Sequence, residues 1–294
     1  MTNTEQVKKL CKEAGADLVG IASMDRFEGA PLEMDPRQIF PGAQAMIVLG
    51  FRIPRGVLRG IEEGTLFSMY SAMGYEGINT VRQPMTLWNI CNHLEDEGYE
   101  AVPLPNTAWH WANINMTKGG KRPDWSRPVK PGRAAPDVMV HMRIAAVAAG
   151  LGEIGWSRLF LSPEFGPRQR LAGVLTDMPL EPDPIRPQGQ ICDRCKLCVK
   201  HCPAQAIHPE KTEKVELAGV RLEFAELDGA NCYQTYTDPP PEFNPFLKSK
   251  TIKPVLRRLR SIGGARGCII ACMDHLEKKG VLSKKFKNPF RKET

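Results

Sequence analysis

No stretch of this 294-residue chain approaches the roughly eighteen consecutive apolar residues that a membrane span requires. The first two dozen residues, MTNTEQVKKLCKEAGADLVGIASM, are polar and helix-like, without the apolar core of a secretory signal. Internal repeats are also missing, which excludes a solenoid or propeller. These absences lead us to expect a soluble cytoplasmic protein with no membrane partner. In that reducing compartment disulfides do not persist, so clustered cysteines read as metal ligands rather than as staples.

An apolar content of 42% is enough to bury a full core, as one large domain or two smaller ones. The net charge of +7 is uneven. From Pro241 to Thr294 there are fourteen Lys/Arg against four Asp/Glu. That tail reads either as a counter-charge to a thiolate cluster or as a solvated terminus.

Thr4–Gly15 has helical spacing and runs into a strand-like Asp17–Ala22. Ala45–Phe51 is a second strand, and Val81–Gly98 an amphipathic helix with Met85, Leu87, Trp88, Ile90, Cys91 and Leu94 on its apolar side. Tyr99–Leu104 is expected as a strand, Val138–Ala149 as a helix and Arg170–Asp177 as another strand. Such alternation indicates helices layered on a sheet. Asn106–Pro136 lacks periodicity and has the length of a functional loop. The four prolines of Pro179–Gln190 mark a boundary, giving domains 1–183 and 184–294.

Nine cysteines are present, and four form Cys192-x-x-Cys195-x-x-Cys198-x-x-x-Cys202-Pro203. Two-residue spacers on a tight loop let three sulfurs converge on one iron–sulfur cubane. The following x-x-x-Cys-Pro step turns the fourth sulfur toward a second cluster. Zinc instead calls for two separated pairs. A degraded second copy, Ala265-Arg-Gly-Cys268-Ile-Ile-Ala-Cys272-Met273, keeps the Cys-x-x-x-Cys step, with Ala265 where a leading cysteine is expected. By the crossover rule, Cys192, Cys195, Cys198 and Cys272 hold one [4Fe–4S] cluster. Cys202, Cys232 and Cys268 then hold a second, [3Fe–4S] or [4Fe–4S], that is one thiolate short. His275 and Asp274 are the nearest non-thiolate candidates, and His201 would tune a cluster by hydrogen bonding. Cys11 and Cys91 read as small buried hydrophobes.

Gly150-Leu-Gly152-Glu153-Ile-Gly155 matches G-x-G-x-x-G, yet it follows a helical run rather than a strand, which counts against a dinucleotide site. The longer stretch HMRIAAVAAGLGEIGWSRLFLSPEFGPRQRLAGVLTDMPLEPDPI, followed by the cysteine run, resembles the superfamily of reductive dehalogenases and epoxyqueuosine reductases. Tyr70-Ser-Ala-Met-Gly-Tyr75 is similar to a tyrosine-rich stretch of the epoxyqueuosine enzymes.

The resemblance implies an α+β fold: a nitroreductase-like α/β cobalamin-binding domain plus a ferredoxin-like two-cluster iron–sulfur domain. It also implies a cytoplasmic reductase in which the clusters deliver electrons to a base-off cobalamin that reduces a small organic substrate. Gly150, Gly152, Glu153 and Gly155, with Pro163, Glu164, Gly166 and Arg170, would then approach the corrin. Where epoxyqueuosine reductases carry an acidic proton donor, this chain has Asn106. Some dehalogenases use a tyrosine, which points to Tyr70 or Tyr75. His110, between Trp109 and Trp111, is a further proton-donor candidate. Reduced ferredoxin or flavodoxin is the expected electron donor, drawn by the basic tail. Arg257, Arg258, Arg260 and Lys284–Lys287 would also suit tRNA phosphates. The alternatives are an electron-transfer protein that reduces a partner, such as a corrinoid protein, and an epoxyqueuosine-type tRNA-modifying reductase.

Overall fold

A computed structural model describes residues 2–66, 69–106, 127–132, 137–237 and 265–291. Thr2 opens α1 (Asn3–Glu13) with a capping box, its hydroxyl accepting from the Glu5 amide while Glu5 accepts from the Thr2 amide. The helix leads into β1 (Leu18–Ser23), which pairs with β2 (Ala45–Arg52). Next come the short α2 (Arg59–Glu63), wide-turned helical segments at Tyr70–Glu76 and Ile78–Arg82, then α3 (Gln83–Asp96) and β3 (Ala101–Leu104). Helix α4 (Met142–Ala148) precedes a small pair, β4 (Glu153–Ile154) and β5 (Phe160–Leu161), and the long β6 (Gln169–Thr176). The main sheet runs β1-β2-β6-β3, with every pair antiparallel.

Strands β2 and β6 are buried on both faces, which is why AMIVLGF reads as a continuous apolar run. Side chains alternate across the pleat. Ile47, Leu49 and Phe51 meet Val7 and Cys11 of α1 and Leu87, Ile90 and Leu94 of α3. Met46 and Val48 face the other way, onto Ala145–Ala149. Gly20 lets α4 close on the sheet, since a Cβ there would stand 2.2 Å from the Ala149 carbonyl oxygen. The mixed helix-and-strand class agrees with the expectation. Met85 and Trp88 do not: they are 59% and 66% exposed, because only the Leu87–Ile90–Leu94 stripe of α3 faces the sheet.

After the proline-rich link come α5 (Leu197–Lys200), a hairpin of β7 (Ile207–Leu217) and β8 (Val220–Leu227), α6 (Gly229–Thr237) and α7 (Ile270–Lys278). Packing crosses the 183/184 division. Leu217, Leu222 and Phe224 of the hairpin join the α4 face, and Ile270 and Met273 of α7 join the α1–α3 face. No helix among the described residues is long and apolar enough to cross a membrane.

Candidate functional site

Glu153, on β4 and only 2% exposed, fixes the start of the cysteine loop. Its Oε1 accepts from the Cys192 amide at 2.6 Å, and its Oε2 from the Gln190 and Ile191 amides at 2.9 and 3.2 Å. The Trp156 amide donates to Cys192 Sγ at 3.3 Å, and the Ala206 amide to Cys202 Sγ at 3.4 Å. Amide donors to sulfur stabilise thiolate character. Gly267 brings the downstream cysteines to this loop: a Cβ there would lie 2.7 Å from both the His201 carbonyl oxygen and Pro203 Cδ. Cys268 therefore comes in beside the Cys-Pro step.

Two groups of thiols result. Burial pushes Cys198 up to about 12, and neighbouring Cys192 and Cys195 add to the shift. Cys272 is raised well above the ordinary thiol by burial, then by Cys192, Cys198, Cys268 and Cys195. Burial likewise pushes Cys268 up to about 12, with Cys202, Cys232 and Cys198 adding to it. Cys232, although at an exposed position, is raised by partial desolvation and by the nearby Cys202. Thiols crowded this closely repel one another as thiolates unless a cation takes up the charge, which is the condition a metal cluster meets. The donor set thus fits iron–sulfur ligation, four thiols in one group and three in the other. His275 lies by the first group and not the second, its Nε2 2.9 Å from Asp193 Oδ2 and within 4.8 Å of Cys195 Sγ, and Asp274 pairs with Lys278 at 3.0 Å. Cys11 and Cys91 are buried in the α1–α3 core.

Beside the second thiol group lies a cavity of about 460 Å³. Tyr70, Tyr75, Asn106 and Arg170, all singled out in the sequence, line it together. Tyr70 is 2% exposed, and burial pushes its hydroxyl up to about 12. Arg170 and Cys268 are both within electrostatic reach of it. Arg170 stacks 4.3 Å over the Tyr75 ring, and its Nε donates to Asn79 Oδ1 at 3.1 Å. Asn106 Nδ2 donates to the Leu171 carbonyl at 3.1 Å, and its amide to Gln83 Oε1 at 3.2 Å. The sequence reading missed His141 and Arg143, which also line the cavity. His141 Nδ1 accepts from the Ile144 amide at 3.3 Å and so caps α4. Arg143 lies within electrostatic reach of Cys268 and Cys232. Their signal was the position at the start of an alanine-rich helix, His141 as its N-cap and Arg143 in its first turn. His110 lies outside the described residues.

The other residues assigned to a corrin sit elsewhere. A Cβ on Gly150 would meet the Pro184 carbonyl at 2.4 Å, on Gly152 the Leu161 carbonyl at 2.0 Å, and on Gly155 Leu161 Cδ1 at 2.8 Å. These glycines let the turn pack on protein. The Pro163 carbonyl accepts from the Ser283 amide, Gly166 packs on Leu276 and Leu282, and one oxygen of Glu164 is buried without a partner among the described residues.

No family model matches the chain. A tetrachloroethene reductive dehalogenase from Desulfitobacterium hafniense is 51% identical over 72 residues, 24% of this chain and 13% of that protein. Another, from Sulfurospirillum multivorans, is 26% identical over 265 residues, 78% of this chain and 45% of that one. An epoxyqueuosine reductase from Listeria monocytogenes is 37% identical over 62 residues, 21% of this chain and 16% of that one. The chain is a homologue of reductive dehalogenases and epoxyqueuosine reductases. It spans less than half the length of these relatives, all of which are oxidoreductases. A solved reductive dehalogenase, described in terms of B12-dependent dehalogenation, superposes with a TM-score of 0.53 at 21% identity, covering 96% of this chain and 38% of that one. That likeness shows a shared fold.

Proposed function

We propose that this chain is an iron–sulfur, cobalamin-dependent reductase acting on a small organic substrate. The observation that carries the reading is the juxtaposition of Cys268, one of the second thiol group, with Tyr70 in the cavity wall. An electron-transfer protein has no need of a walled cavity with a buried phenol beside its inner cysteines. That favours an enzyme.

In this reading Cys192, Cys195, Cys198 and Cys272 hold one cluster, and Cys202, Cys232 and Cys268 the other. Tyr70, Asn106, His141, Arg143 and Arg170 would hold the corrinoid and substrate. The cavity falls in the range of roughly 300–1,000 Å³ typical of small-ligand sites, so it suits a substrate and the reactive face of a larger group. The Gly150–Gly155 turn, closed off by protein atoms, does not suit a corrin cradle. When bound, the clusters carry single electrons and the corrinoid supplies an electron-rich cobalt.

The chain's own residues supply position and protons. Tyr70, kept neutral by burial, holds a proton at its hydroxyl in reach of the cavity. Arg170, anchored on Asn79, fixes the Tyr75 ring and offers positive charge to an anionic leaving group or substrate oxygen. Asn106, locked by Leu171 and Gln83, presents a fixed amide rather than an acid. Electron entry from reduced ferredoxin or flavodoxin completes the scheme.

The test is anaerobic reconstitution with iron, sulfide and cobalamin, followed by turnover assays on halogenated organics and on epoxyqueuosine-containing tRNA. Retention of one corrinoid per chain with reduction of a halogenated compound supports the reading. Turnover of the tRNA alone would move the assignment to the epoxyqueuosine reaction, and loss of all corrinoid on gel filtration would overturn both.

A further inference from the structure

A second cavity, of about 420 Å³, opens on the other side of the same chain segments. Ile53 and Pro167 face the cavity described above, whereas their neighbours Arg52 and Arg168 line this one, together with Arg55, Arg59, Phe286 and Phe290. Four guanidinium groups therefore border one space, and no carboxylate is among the lining residues.

Arg168 is the unusual member. It is 1% exposed, its Nη1 donates to the Ile53 carbonyl at 2.8 Å, and its Nε has no partner among the described residues. Burial pushes its guanidinium down to about 10; Glu277 opposes that shift, while Arg55 and Arg52 reinforce it. Glu277 is committed through one oxygen only: its Oε2 lies 2.7 Å from Arg55 Nη1, whereas its Oε1 is buried with no partner among the described residues. Arg59 pairs with Glu63 at 3.0 Å, and Arg52 is 3.9 Å from Asp17. Arg55 stacks 3.5 Å over Phe286 and Arg59 4.0 Å over Phe290, which fixes the planes of both guanidiniums at the cavity edge. The exposed Lys284, Lys285 and Lys287 flank Phe286 and raise the local potential further.

A purely structural role covers part of this. Arg55 and Arg59 donate to the Asn288 and Phe290 carbonyls and so staple the C-terminal segment to the sheet domain. Stapling leaves the Arg168 Nε idle, and the Glu277 carboxylate, bonded to Arg55, only partly offsets the buried cation, an arrangement that is costly unless a further anion completes it.

We propose that this cavity is a binding site for a small phosphate monoester, its dianionic head held by Arg52, Arg55, Arg59 and Arg168 and its organic part lying against Phe286 and Phe290. A dianion matches a set of converging forked donors better than a lone carboxylate does. The inference is independent of the reductase reading.

Isothermal titration calorimetry of the full chain, with inorganic phosphate and with phenyl phosphate at constant ionic strength, tests it. The expected result is saturable one-site binding, tighter for phenyl phosphate. Arg52→Gln, at a half-exposed position, and Arg59→Gln should each weaken it at least about fivefold with far-UV circular dichroism unchanged. Arg168→Gln should abolish it. A triple Lys284→Gln, Lys285→Gln, Lys287→Gln variant, which leaves the cavity lining intact, should lose no more than about twofold. Non-saturable heats, or equal affinity in wild type and Arg52→Gln, would overturn the proposal. So would binding lost only in the lysine variant, or a short RNA oligonucleotide that binds without competition from phenyl phosphate.

Discussion

Glu153 Oε1 accepts a hydrogen bond from the Cys192 amide at 2.6 Å, so a carboxylate in the glycine-rich turn sets the position of the first cysteine in the run. The same side chain serves two further amides, an arrangement in which one buried anion organises three consecutive backbone donors. Glu153→Ala should leave those amides unpaired and cost about 2–4 kcal/mol in denaturant unfolding. Glu153→Gln, which keeps one acceptor, should cost about half as much. Iron content measured after reconstitution should fall in the same order.

Tyr70→Phe removes the buried phenol and little volume. We expect turnover to drop about 10²–10⁴-fold with substrate affinity nearly unchanged, as measured by steady-state kinetics. The phenol also leaves a mark on alkaline stability. Its hydroxyl is lifted from the ordinary 10 to about 12, so the folded chain keeps a proton that the unfolded chain gives up. Stability is thus complete below pH 10 and declines by roughly 2–3 kcal/mol as pH climbs toward 12. Tyr70→Phe should flatten that decline.

Much of this was legible in the sequence. The spacing of Cys192, Cys195, Cys198 and Cys202 is local chemistry, and the sheet strands announced themselves through apolar runs that central strands require. Tyr70, Tyr75, Asn106 and Arg170 were singled out one by one, and the fold gathers them in one cavity. The β7–β8 hairpin was not foreseen, because the sequence HPEKTEKVEL buries almost nothing along β7 and so shows no strand alternation. The Glu153 clamp joins partners 37 to 39 positions apart, a tertiary contact with no periodic signature. The arginine-lined cavity likewise draws on three separated segments.

His141 reports on acid conditions. Burial, with Arg143 and Arg158 nearby, lowers it from 6.5 to about 4, so it stays neutral in the folded chain while the unfolded chain takes up a proton. Stability is therefore complete above pH 6.5 and falls as pH drops toward 4, by on the order of 2 kcal/mol. His141→Asn keeps a side chain able to cap α4 and should abolish this dependence in unfolding measurements at pH 7 and pH 5.

Gly267→Ala places a Cβ 2.7 Å from backbone at His201 and from the Pro203 ring. Neither neighbour is a flexible side-chain end, so the loop carrying Cys268 must move. The expected outcome is loss of roughly half the bound iron, with the Cys192–Cys198 group still occupied. Iron and sulfide quantification of the purified variant checks it.

The central claim is that two thiol groups, four and three cysteines strong, lead to the cavity that holds Tyr70. An EPR-monitored redox titration of the reconstituted protein tests it most directly. The account predicts two separately titrating clusters, with Cys272→Ser removing the signal of one and Cys232→Ser the signal of the other. A single cluster in the wild type, or one signal lost equally in both variants, would contradict it.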